Sequence, residues 1–400
     1  MVPRVLLISD RYFPHVGGSI HWFQNIYSRR PPGTVSILTQ QYPDAATFDL
    51  AHPELDIVRR KLERYPFLRP ESLLLYFKLW WTGASIIRRR KIELIHASKV
   101  LPEGLVARRL ARRFRIPYVV FAHGEEITIF GKHPRQRRQL PRVYDDAAAV
   151  IANSRFTASK LLEVGCRGEN IARISPGVDT DVFTPGTRDP AIVDALGLAG
   201  KKVLLSVGRL TKRKGHDRVI DALPALLARH PETVWVVLSS GEEETNLRRR
   251  AQELGVASHV RFVGEVRYEQ LPAYYRSADV FVLANRELED GDMEGFGIVF
   301  LEANACGRPV IAGNSGGTGD PVRDGVNGFR IDATDPRNIA AAVARVFDDP
   351  RRGDEMGARG REIVTAEYTW DRVVERVEEL GRRVVTGTVD ESAERLIAQR

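Results

Sequence analysis

Short apolar runs of three to five residues, separated by longer amphipathic stretches, constrain this chain more than any other feature. Val5–Ile8, Val35–Thr39, Leu94–His96, Tyr118–Ala122 and Ala149–Ala152 form one series; Val203–Val207, Val234–Leu238, Val260–Val263, Val280–Leu283 and Pro309–Ala312 form a second. A run that is apolar at consecutive positions suits a strand covered on both faces, which is how parallel sheets are built. The intervening Leu105–Phe114, Ser154–Val164 and Asp217–Arg229 space their apolar residues as helices do. The predicted fold class is α/β, with two doubly wound Rossmann-like domains. A length of 400 residues with 43% hydrophobic content exceeds what one core usually absorbs, which agrees with two. The join is expected within Gly177–Leu198, where Pro, Gly, Asp and Thr resist continuous helix or sheet. The domains are placed at 1–185 and 186–366, followed by a helix at 367–385 packing back toward the first domain and a polar tail at 386–400.

Cys166 and Cys306 are far apart and without metal-ligand spacing, so neither a disulfide framework nor a zinc site is supported and a cytoplasmic setting is expected. Met-Val-Pro-Arg passes directly into Val5–Ile8, without the regions of a secretory signal. The formal charge of +8 is uneven: residues 1–185 hold 29 Lys/Arg against 17 Asp/Glu, and the remainder 31 against 35. A basic front half attracts anionic lipid, nucleic acid or phosphorylated substrates, unless its arginines merely solvate helix faces.

Residues able to do chemistry gather near the ends of the expected strands. Gly17-Gly18 follow the first strand and lead into a helix near Ile20–Ser28. Such a pair lets a backbone approach a ligand closely, or simply makes a tight turn. It is not the Gly-x-Gly-x-x-Gly of dinucleotide binding. His123 follows Tyr118–Ala122 and would face the crevice at the carboxyl end of a parallel strand, or satisfy backbone groups there. Glu125 and Glu126 could hold acceptor hydroxyls or cap the next segment. In the second series Val203–Val207 runs into Gly208-Arg-Leu-Thr-Lys-Arg-Lys-Gly215, where Arg209 offers a bidentate fork to phosphate and Lys214 a compact charge. Glu294-Gly-Phe-Gly-Ile-Val-Phe-Leu-Glu302 then places two carboxylates around a helix start whose N–H groups favour an anion. Glu302 suits a pair of ribose hydroxyls and Glu294 sugar hydroxyls. Asp290-Gly-Asp292 lacks further clustered ligands and makes a weak metal site.

In this ordered set, with Ser175-Pro-Gly-Val-Asp179 and Asp324-Gly-Val-Asn-Gly328, the chain resembles the retaining, nucleotide-sugar-dependent glycosyltransferases of family 4, across most of residues 1–385. The segment from Gly295 to Gly317 looks especially like bacterial mannosyltransferases acting on phosphatidylinositol mannosides. The resemblance implies a GT-B fold, in which two domains face a central cleft. It implies that Arg209 and Lys214 bind the donor diphosphate, Gly17 and Gly18 close over it, and Glu302 holds the ribose. It also implies that Glu294 and the Phe296, Gly297 and Ile298 backbone orient the donor sugar, that His123 contacts this sugar, and that no metal or cofactor is required. GDP-mannose is the favoured donor and UDP-linked hexoses come next, with a lipid-linked or saccharide acceptor.

Residues 59–91 hold ten Lys/Arg, two Glu and a dense aromatic and aliphatic run. They read either as an ordinary buried helix or as a basic amphipathic helix lying on an anionic membrane, where Lys132, Arg135, Arg137, Arg138 and Arg142 would add charge. A nucleic-acid-binding protein would leave the Glu294/Glu302 pair idle, a dehydrogenase would need the missing fingerprint, and an epimerase or hydrolase on the same fold is the remaining alternative.

Overall fold

The computed structural model of the chain describes residues 2–14, 17–62, 73–124, 127–128 and 138–387. Glu125, Glu126, Lys132, Arg135 and Arg137 lie outside the described residues, as do 63–72 and 388–400. The chain divides into two compact units, Met1–Pro176 with Trp370–Arg400, and Gly177–Thr369.

The first unit is a seven-stranded sheet of β1 (Val5–Ile8), β2 (Val35–Gln40), β3 (Asp56–Arg60), β4 (Leu94–Ala97), β5 (Tyr118–Ala122), β6 (Ala149–Ala152) and β7 (Ile171–Arg173). They lie in the order β3-β2-β1-β4-β5-β6-β7, every pair parallel. Alternate residues feed two cores. Leu6 and Ile8 pack with the helices Leu73–Arg90 and Leu105–Phe114, whereas Val5 and Leu7 pack with Gly18–Ser28 and Trp370–Thr386. Both faces are covered, which is why the central strands are apolar at consecutive positions.

The second unit is built alike from β8 (Lys202–Val207), β9 (Thr233–Leu238), β10 (Val260–Gly264), β11 (Val280–Leu283), β12 (Val310–Gly313) and β13 (Gly328–Ile331), in the parallel order β10-β9-β8-β11-β12-β13. Leu204 faces the helices His216–Arg229 and Pro336–Asp348, while Val203 and Leu205 face Ile298–Ala305.

Three strands were not expected from the sequence: β3, β7 and β13. All three lie at sheet edges and are partly exposed. An edge needs no continuous apolar run, and the arginines of these strands interrupt the pattern that revealed the others.

The divisions fall at Pro176/Gly177 and Thr369/Trp370 rather than at 185/186 and 366/367. Residues 177–185 belong to the second unit because Phe183 is fully buried in its core and Val178 N–H donates to Tyr368 O at 2.8 Å. Arg361 adds bonds to Phe183 O at 2.6 Å and Thr180 O at 2.9 Å. The helix Trp370–Thr386 belongs to the first unit, burying Trp370, Val373 and Val377 beside Ile26 and placing Glu378 3.6 Å from Arg30.

The helix Leu73–Arg90 is buried along one side and exposed along the other. Leu75, Leu79, Ile86 and Ile87 are buried, yet Leu73, Leu74, Phe77 (60% exposed) and Trp81 (64%) stand in solvent at helical spacing. Several of the surrounding basic residues are engaged internally. Arg59 is buried against Asp49 and donates to Phe13 O at 2.8 Å, Lys78 donates to Lys61 O at 2.7 Å, and Arg90 pairs with Asp56 at 3.0 Å. Among the described residues no helix is long and apolar enough to cross a membrane.

Candidate active site

In the second sheet the strand order reverses between β8 and β11, and open α/β sheets bind ligands outside the carboxyl ends of their strands at such a point. The loop after β8 carries Arg209 and turns through Lys212–Lys214 into the helix His216–Arg229. The loop after β11 carries Asn285 and Glu294 and ends in the helix Ile298–Ala305. The two loops meet on one oxygen. Glu294 Oε2 accepts from Lys214 Nζ, from Arg213 at 3.1 Å and from Asn285 Nδ2 at 3.1 Å. Burial alone would raise the Glu294 carboxyl; Lys214 and Arg213 outweigh it and hold the group down at about 2. Burial also presses Lys214 below its ordinary value, which the attraction of Glu294 does not fully offset. An ammonium has three N–H donors, so Lys214 can keep Glu294 and still reach an anion. Arg209 is exposed and makes no side-chain bond among the described residues.

Asp292 pairs with Arg213 at 3.3 Å, and its N–H donates to Asp290 Oδ1 at 3.0 Å, so this acidic stretch forms a turn braced by a cation. Among the described residues no group of three or more His, Cys, Asp or Glu side chains could hold a metal ion.

Gly297 caps the helix Ile298–Ala305 at φ 97°, in the left-handed region, and a Cβ there would stand 2.6 Å from the Phe300 ring. Phe296 is buried beside it and Ile298 opens the helix. Glu302, one turn in, is buried and accepts the Tyr275 hydroxyl on Oε2 at 2.6 Å. Burial raises its carboxyl to about 7, with the Tyr275 bond pulling the other way.

In the first unit His123 lies just past β5, and its Nε2–H donates to Ser98 O at 2.8 Å. The ring meets Trp22 and Phe23 edge to face, at 5.5 and 5.8 Å between centroids. Gly17 is extended at φ 174° and Gly18 begins the helix Gly18–Ser28. A Cβ on Gly17 would meet only Ile20 at 3.8 Å, and one on Gly18 nothing within 4 Å. Among the described residues no packing requires these glycines.

The structure thus joins Lys214 directly to Glu294, exposes Arg209 at the surface of the same unit, and holds Glu302 through a tyrosine. Sequence reasoning missed Arg213, Asn285 and Tyr275. Arg213 stood in the basic loop, and Asn285 lies two residues past a strand end, a position the switch-point rule marks. Nothing in the sequence pointed to Tyr275.

The fold is of the doubly wound α/β class in two units, with a polar cluster at the switch point of the second, and the comparisons name its family. Residues 32–182 match the model described as Glycosyltransferase Family 4, and residues 190–363 that described as Glycosyl transferases group 1. A GDP-mannose-dependent alpha-(1-6)-phosphatidylinositol monomannoside mannosyltransferase of Mycolicibacterium smegmatis is 40% identical over 303 residues, 74% of this chain and 79% of that protein. The protein of the same name from Mycobacterium tuberculosis is 36% identical over 391 residues, 94% of this chain and 97% of that one. Among solved structures, Anabaena HepE in complex with UDP superposes with a TM-score of 0.79 at 20% identity, covering 94% of this chain and 98% of its own, a likeness of fold. The chain belongs to the family 4 glycosyltransferases, and it has their GT-B class of fold.

Proposed function

We propose that this chain transfers mannose from GDP-mannose to a hydroxyl of a phosphatidylinositol-mannoside-type acceptor, retaining the anomeric configuration and without a catalytic metal. The observation that carries the reading is the convergence of Lys214, Arg213 and Asn285 on Glu294 at the switch point, beside an exposed Arg209. The relatives' names supply the sugar, the base and the acceptor class. Lys214 and Arg209 meet the charge that develops on the departing diphosphate, where a fixed cation does most for the transition state. Glu294, held ionised, accepts from donor-sugar hydroxyls, and Glu302 accepts from the ribose. In the first unit the Gly17-Gly18 backbone suits close approach by a ligand, since among the described residues no packing requires these glycines. Retention is taken to proceed by front-face attack, in which the departing phosphate takes the acceptor's proton, and a glycosyl adduct trapped on any side chain of the active wild type would sink that route. The primary test is a panel of nucleotide sugars presented with phosphatidylinositol monomannoside in vesicles. GDP-mannose should give an alpha-linked product, and turnover confined to a UDP sugar would overturn the donor assignment.

The acceptor class also gives the exposed face of Leu73–Arg90 a use: Phe77 and Trp81 enter the interface of an anionic bilayer, with the chain lying at the inner face of the membrane. The double variant Phe77→Glu with Trp81→Glu should weaken co-sedimentation with phosphatidylinositol-containing vesicles at least tenfold, since burying each aromatic is worth about 1.5–3 kcal/mol. Unchanged co-sedimentation would remove this face from consideration.

A further inference from the structure

The first sheet also reverses its order, between β1 and β4, and the chemistry at that point belongs to no role described so far. Asp10 lies two residues past β1 and Lys99 two residues past β4. Lys99 Nζ donates to Asp10 Oδ2 at 2.7 Å, and Asp10 N–H donates to Glu103 Oε1 at 2.9 Å. The two outer side chains reach solvent, Asp10 20% and Lys99 26% exposed, while Glu103 is wholly buried. Glu103 Oε2 has no hydrogen-bond partner among the described residues. A fully buried carboxyl satisfied on one oxygen is a poor choice for stability alone. His123 is bonded to the carbonyl of Ser98, the residue before Lys99, so the cluster adjoins it.

We propose that Asp10 and Lys99 form a subsite for the hydroxyl groups of a polyol acceptor, with Glu103 as the residue that positions Asp10; this rests on the transferase reading above. A hydroxyl both donates and accepts, and the pair presents a carboxylate acceptor beside an ammonium with N–H donors to spare. Burial, then Asp10, pushes the Glu103 carboxyl up to about 8, with Lys99 opposing them. Burial works against ionisation of Asp10, yet Lys99 holds it below its ordinary value. Among the described residues Asp10 and Lys99 are the charged groups that face Glu103, and Arg11 adds positive charge beside Asp10. Burial and Asp10 thus favour the protonated form of Glu103 behind a carboxylate and an ammonium.

The test measures acceptor KM at saturating GDP-mannose, with phosphatidylinositol monomannoside in vesicles, alongside GDP affinity by calorimetry. Asp10→Asn and Lys99→Met should each raise acceptor KM tenfold or more and leave GDP affinity within twofold. Glu103→Gln should keep the acceptor KM of the wild type at pH 7 and abolish the rise that the wild type shows above pH 8, where an ionised Glu103 would confront Asp10; Glu103→Ala should raise KM throughout. Unchanged acceptor KM in Asp10→Asn and Lys99→Met, proportional loss of GDP affinity, or coincident pH profiles for Glu103→Gln and wild type would each overturn the subsite. Absence of turnover by the wild type would defeat the transferase reading and the subsite with it, whereas turnover unaffected by the variants defeats the subsite alone.

Discussion

Replacing Lys214 by methionine is expected to lower kcat for transfer from GDP-mannose by about a hundredfold to a thousandfold, the loss typical when one fixed donor to a developing anion is removed. The methionine stem fills most of the lysine's space, and Arg213 and Asn285 still satisfy Glu294 at 3.1 Å each, so the loop should keep its form. Removing one partner of a buried ion pair is otherwise severe, at about 3–5 kcal/mol, and the retained bonds are what should reduce that cost here. Thermal unfolding of the variant separates the two effects. A kcat within threefold of wild type would show that Lys214 serves only to neutralise Glu294.

The second large effect concerns pH. Glu302 must be ionised to accept two ribose hydroxyls, and its carboxyl is raised to about 7 by burial despite the Tyr275 bond. GDP affinity should therefore fall about tenfold between pH 8 and pH 6. GDP itself takes up a proton near pH 6 on its terminal phosphate, so the decisive comparison is Glu302→Gln, whose affinity should be lower but free of the Glu302 component. Stability moves the opposite way. A carboxyl raised in the folded state stabilises the fold fully below its unfolded value of about 4.5 and ceases to do so as pH rises through about 7. Apoprotein stability should thus decline from pH 6 to pH 8 while nucleotide binding improves. Parallel pH profiles for wild type and Glu302→Gln would exclude Glu302 from ribose recognition.

The centre of each sheet was legible because a strand covered on both faces has no place for polar residues: Val5–Ile8, Tyr118–Ala122 and Val280–Leu283 are buried along their whole length. The edges were not, because Asp56–Arg60 carries its arginines on a strand with one neighbour. In the second unit residue type alone singled out Lys214, Glu294 and Glu302, since phosphate and hydroxyl recognition restricts it, and the fold brings Lys214 onto Glu294. Their supports were harder to see. Tyr275 reaches Glu302 across 27 positions and Lys99 reaches Asp10 across 89, separations that only the folded topology closes. Glu103 gave no signal, since a lone glutamate before a glycine reads as a surface residue until its burial is known.

The path of the chain between the two units has a consequence for synthesis. The first unit opens with residues before Pro176 but needs Trp370, Val373 and Val377 to complete the core that covers Val5 and Leu7. The second unit is one uninterrupted segment whose two ends are joined by the Val178–Thr369 bridge. On a ribosome delivering roughly 5–20 residues per second, the domain begun first is thus the one finished last. For the time it takes to make the 193 residues of Gly177–Thr369, the part of this core that Gly18–Ser28 does not cover stays open. The helix Trp370–Thr386 serves in that sense as a late-arriving lid on the hydrophobic interior, and a chain released before it emerges would carry a completed second unit beside an open first one.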